Sequence, residues 1–185
     1  MRPVSSSTRI AATLVAGAAL VLQSQAALAQ NCLTEREVTG LVTFALPTVM
    51  NSAITTCQPQ LSPNGYFATQ GRSLVARYAA GKAAAWPTAK AALFKLGGDK
   101  GDAQTRDLLA KMPDEALQPF AEGMVGQLVG SGIKPDQCVA IERGARLLAP
   151  LPPENTAELI TFILSVADKP KPGKTPKLLI CPAQN

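Results

Sequence analysis

The sequence predicts an all-α fold, and three observations carry that expectation. Apolar residues recur at helical spacing in one segment after another, no segment sustains two-residue alternation, and proline and glycine divide the chain into short pieces. Such frequent breaks disfavour long parallel rods and point to about six or seven short helices in an orthogonal or irregular bundle.

Thr34 followed three residues later by Glu37 reads as a capping box, and Val38, Leu41, Val42, Ala45, Leu46, Val49 and Ala53 continue at helical spacing. The first helix therefore spans about residues 35–56. Pro47 lies within it, but the apolar phase is the same on both sides, which favours a kinked helix over a hairpin. Prolines 59 and 63 and the Asn64-Gly65 pair make residues 58–65 a loop. A second helix is expected from about Phe67 to Ala85, with Trp86-Pro87 breaking it and Pro87 opening a third that reaches Leu96 before Gly97-Gly98. Asp102 can cap a short helix to about Lys111, and Pro113 can open the next. There Leu117, Phe120, Ala121, Met124, Val125, Leu128 and Val129 form the cleanest apolar stripe in the chain, ended by Gly130 and Gly132. Pro135-Asp136 starts a helix to about Ala149, with Cys138, Ile141, Ala145 and Leu148 inward. Asn155 or Thr156 caps the last, which carries Leu159, Ile160, Phe162, Ile163 and Val166.

The N-terminus reads as an export signal. Arg2 and Arg9 flank an apolar run from Ile10 to Leu22, and Ala27-Leu28-Ala29 supplies a small-x-small cleavage pattern, so the mature chain is expected to begin at Gln30. The run is too short to cross a bilayer as a helix, which needs about 20 residues. Three regions result: a signal peptide over 1–29, one helical domain over 30–168, and a Lys/Pro-rich segment over 169–185. The destination is the periplasm or the exterior. Of the formal charge of +5, Arg2 and Arg9 leave with the signal, and Lys169, Lys171, Lys174 and Lys177 belong to the tail. Without those six of the 18 basic residues, 12 face 13 acids, so the body is near neutral and lacks the basic face of a nucleic-acid binder. Four lysines at about 1 kcal/mol each give at most weak, millimolar association with anionic surfaces.

Four cysteines, Cys32, Cys57, Cys138 and Cys181, in an exported chain imply two disulfides. A helix over 35–56 would hold Cys32 and Cys57 roughly 35 Å apart, against the ~7 Å limit for a disulfide. Each should then pair with Cys138 or Cys181, in either combination, unless Pro47 folds the segment back on itself. The tail over 169–177 is expected to be extended, a strap whose Leu178, Leu179 and Ile180 dock in an apolar groove while Cys181 ties the end down.

The residue inventory narrows the chemistry. With no histidine, Ser-His-Asp and Cys-His machinery and histidine-ligated zinc are excluded. The cysteines stand 25, 81 and 43 residues apart, without the close pairs of a zinc site. No metal and no cofactor is expected. Ser131-Gly132-Ile133-Lys134 has Ser-x-x-Lys spacing but sits on glycines that end a helix, and Pro172-Gly173-Lys174-Thr175 lacks both the first glycine and the following helix of a phosphate loop. Carboxylates remain: Asp99, Asp102 and Asp107 about a glycine-rich turn, and Glu154 with Glu158 on one helical face. Capping and solvated faces account for them more simply than acid–base work. The reading that follows is a non-enzymatic exported helical domain that binds another envelope or secreted protein. The alternative is a carrier of a small apolar ligand, with a cavity lined by Trp86, Phe120, Met124 and Phe162. A carboxylate-based hydrolase comes third.

Overall fold

Thr34 Oγ1 accepts the Glu37 N–H at 3.2 Å, and the Glu37 carboxylate accepts the Thr34 N–H at 2.8 Å. This reciprocal box starts α1 (Glu35–Cys57), which runs unbroken through Pro47. An interior proline forfeits a backbone hydrogen bond. Here Phe44, Leu46 and Pro47 are all buried, and that burial offsets the loss.

The computed structural model describes residues 32–98, 103–167 and 180–181. After α1 come α2 (Tyr66–Ala79), α3 (Lys82–Gly98), α4 (Ala103–Lys111), α5 (Asp114–Gly132), α6 (Cys138–Leu148) and α7 (Pro153–Ala167), with 3-10 turns at Gln58–Gln60 and Pro135–Gln137. The fold is an all-α bundle arranged about α1, which packs against α2, α3, α5 and α7. Length and apolarity alone would let the segment Glu35–Gln60 cross a membrane, but in this fold it is the helix the others surround.

Three apolar clusters fix that arrangement. Leu46 and Cys57 of α1 pack with Phe67, Leu74 and Tyr78 of α2 and Cys138 and Ala145 of α6. Phe44 packs with Trp86 and Ala89 of α3 and Leu117 and Ala121 of α5, the Phe44 and Trp86 rings lying 4.8 Å apart. Leu33 and Val38 pack with Ala92, against which Leu96, Leu164 and Ile180 close. Close approach of α1 and α3 depends on Gly40, where a Cβ would stand 2.8 Å from Thr88 Cβ.

Two disulfides join distant parts of the chain. Cys57 at the end of α1 bonds Cys138 at the start of α6, and Cys32 just before α1 bonds Cys181. The unbroken α1 separates Cys32 from Cys57, and of the two combinations that separation leaves, this is the one formed. The Cys181 N–H also donates to the Leu33 carbonyl at 2.8 Å, and Ile180 pairs with Leu33 as an isolated parallel bridge. Residues 1–29, read from the sequence as an export signal, the acids Asp99 and Asp102, and the lysines and prolines of the tail over 169–177 lie outside the described residues.

Two boundaries differ from the sequence expectation. The second helix stops at Ala79 instead of Ala85, and α3 begins at Lys82 and passes through Trp86-Pro87. Gly81, itself a poor helix former, takes the break, and burial of Trp86 and Ala89 against α1 outweighs the hydrogen bond Pro87 cannot make. The last helix starts at Pro153, not at an Asn155 or Thr156 cap. A proline in the first helical turn sacrifices no bond. Thr156 is instead fully buried, donating to the Pro152 carbonyl at 3.1 Å and meeting the Tyr78 hydroxyl at 3.4 Å.

Candidate functional site

The apolar stripe of α5 does not turn inward as a whole, and it leaves a groove beside it. Leu117 and Ala121 are buried against α1 and α3, as the periodicity requires. Farther along, α5 meets α1 on a different side. A Cβ on Gly126 would lie 3.2 Å from Ser52 Oγ, and one on Gly130 would lie 3.4 Å from Thr56 Oγ1. At about 100° per residue, these glycines sit roughly 140–180° round the helix from Ala121. Contact through small residues therefore uncovers the bulky side of the same turns. Phe120, Met124 and Leu128 are 49%, 59% and 74% exposed.

Facing them are Leu93, Phe94 and Leu96 of α3 and Leu109 of α4, and together they bound a groove of about 620 Å³. Gln127 and Ser131 are its only polar lining residues among those described. The α5 side from Leu117 to Ser131 extends roughly 21 Å at 1.5 Å per residue. Ion pairs tie the two main walls together: Lys90 Nζ to Asp114 Oδ1 at 2.6 Å and Lys82 Nζ to Glu122 Oε1 at 2.5 Å. The Lys90 ammonium, hydrogen-bonded to Asp114, holds that carboxyl below the ordinary aspartate range, and the Trp86 indole acts in the same direction. The buried indole N–H makes no hydrogen bond among the described residues.

Of the four residues read as a ligand pocket, the fold brings together two. Phe120 and Met124 line the groove. Trp86 does not: it is buried beneath, packed on Phe44 and adjoining Leu93, Phe94 and Leu117. Phe162 is elsewhere, on the outer face of α7 and 63% exposed, beside Leu159, Ile163 and Val166. Periodicity places residues on helix faces but does not say which helices meet, so it cannot separate Phe120 and Met124 of α5 from Phe162 of α7. The walls contributed by Leu93, Phe94, Leu96 and Leu109 went unassigned. The sequence signal for Leu93, Phe94 and Leu96 is an apolar run just before Gly97-Gly98, and Leu109 carries none.

The carboxylates that fall among the described residues do not converge. Glu154 and Glu158 are exposed on α7, and exposed Asp107 pairs with Lys111 at 2.5 Å on its own helix. Among the described residues no cluster of acids or cysteines has the geometry to hold a metal ion. What the groove can do chemically is exclude water from an apolar group. No known protein family, curated protein or solved structure matches this chain.

Proposed function

We propose that this protein is an exported, non-enzymatic binding domain whose α3–α4–α5 groove holds an extended apolar group, such as a long acyl chain. The observation that carries the reading is the groove itself. Its volume of about 620 Å³ falls within the ~300–1,000 Å³ usual for small-molecule sites, and its walls offer leucine, phenylalanine and methionine with two neutral polar side chains. Export supports this role through the leader-like N-terminus and the two disulfides. An acyl chain burying about ten methylenes gains roughly 8 kcal/mol, and association costs of ~4 kcal/mol or more leave about 4 kcal/mol at most, a dissociation constant of about 1 mM or weaker.

The test is displacement of a fluorescent naphthylamine probe by palmitate from the purified oxidised protein. Saturable displacement is expected, and it should be lost in Met124→Glu and Leu93→Gln variants that retain the helical circular-dichroism spectrum. Equal probe binding by wild type and both variants would remove the groove as the site. A second reading, docking of another envelope or secreted protein, is favoured by the exposed Leu159, Phe162, Ile163 and Val166 of α7, since contiguous apolar surface on a soluble domain marks interaction sites. Cross-linking from position 162 to a partner, with no probe displaced from the groove, would favour it over the first.

A further inference from the structure

The two disulfides are not equivalent in access. Cys57 and Cys138 are 0% and 1% exposed, inside the cluster that joins α1, α2 and α6. In the other disulfide Cys32 is 6% exposed but Cys181 is only half-buried, and it holds a two-residue contact, Ile180 and Cys181, against the entrance to α1. A thiol reagent must reach sulfur in line with the bond it breaks, so exposure decides which disulfide exchanges first. The outer bond is the reachable one.

The outer bond also adjoins the groove. Ile180 and Leu96 pack on the same small cluster of Leu33, Val38 and Ala92, and Leu96 is at the same time a wall of the groove. Lys95, the next residue, donates to the Cys32 carbonyl at 3.4 Å and to Glu37 at 2.9 Å. The end of α3 that walls the groove is thus clamped between α1 and the residues held by Cys181.

We infer that the Cys32–Cys181 disulfide is a redox latch on the apolar groove, opened by a dithiol donor of the exported oxidoreductase class while Cys57–Cys138 stays closed. The donor's thiolate attacks Cys181 Sγ, forming a mixed disulfide and expelling Cys32 as a thiolate that takes up a proton. The donor's second thiol then displaces Cys181 as its thiol. Two electrons pass to the protein, the donor leaves as its disulfide, and two protein thiols remain. With the bond open, Ile180 is no longer held on the cluster, Leu96 loses a neighbour, and the wall of the groove loosens. The effect on ligand binding rests on the groove being the binding site proposed above; the effect on the wall does not.

The experiment titrates the full oxidised protein with dithiothreitol, alkylates the thiols and maps them by mass spectrometry, with amide exchange over Leu93–Leu96 followed in parallel. Labels on Cys32 and Cys181 should appear at reductant concentrations that leave Cys57 and Cys138 unlabelled, and exchange at Leu93–Leu96 should accelerate as they do. Probe affinity should fall about fivefold, the equivalent of loosening one apolar side chain. The Cys32→Ser, Cys181→Ser double variant should show the same exchange and affinity without reductant. Simultaneous labelling of all four cysteines, or unchanged exchange once Cys32 and Cys181 are free, overturns the latch. Absence of probe binding by the oxidised protein, with the exchange response present, would instead overturn the ligand reading and leave the latch standing.

Discussion

Lys95 Nζ lies 2.8 Å from Glu37 Oε1, so the last turns of α3 are pinned to the same carboxylate that caps the first turn of α1. Partial burial pushes the Glu37 carboxyl up. The hydrogen bond from Lys95 and those from the Thr34 backbone and hydroxyl outweigh it and hold the group below its ordinary value of 4.5. A depressed carboxylate contributes stability that is complete above the unfolded value and disappears as pH falls through the lower folded one. Stability should therefore be flat above about pH 5 and decline below about 4.5. Glu37→Gln should cost about 1–2 kcal/mol at pH 7 and flatten the acid limb of urea midpoints measured against pH.

Glu142 of α6 caps a helix other than its own. Its carboxylate accepts the Phe67 N–H at 2.9 Å, at the start of α2, where Gly65 offers no side chain to do so. Glu142→Ala should lower stability by about 1 kcal/mol, the usual loss for an N-cap, as read by thermal unfolding. Glu142→Gln, which keeps an acceptor oxygen, should recover most of it.

Removing each disulfide sets chain entropy against packing. Closing 149 residues instead of 81 gives Cys32–Cys181 the advantage by about 0.5 kcal/mol in the loop-closure account. Cys57 and Cys138, however, are core residues, and truncating them leaves a void worth ~1 kcal/mol or more. The Cys57→Ala, Cys138→Ala pair should therefore be the more destabilising in denaturant titrations. The reverse order would show that entropy dominates.

Groove residues should separate binding from stability. Phe120 and Met124 are half-exposed or more, so Phe120→Ser and Met124→Ser should change unfolding free energy by ~0.5 kcal/mol or less while weakening probe binding. Leu117→Ala, buried beneath them, should cost about 2–5 kcal/mol.

Local rules foretold the elements whose cause is local. The Thr34–Glu37 box, the continuity of α1 across Pro47 and the helix pattern of α5 could all be read from neighbouring residues. What could not be read depended on partners far away in sequence. Trp86 sits inside a helix because Phe44 buries it, Thr156 is core because Tyr78 meets it, and Met124 is exposed because Gly126 lets α1 approach from the other side. The groove was half legible for that reason. One of its walls is a stripe within α5, while the opposing one exists only where α3 and α4 come to face it.

The rigidity of α1 also bears on biogenesis. Cys32 and Cys57 are the first two thiols to emerge as the chain is made, yet their native partners, Cys138 and Cys181, emerge last. An oxidase joining cysteines in order of appearance would link the first two, and the coiling of the segment between them into the helix Glu35–Cys57 keeps them from meeting. A helix formed before oxidation would hold these two thiols apart and favour the native pairing, whereas a segment slow to coil would allow them to join.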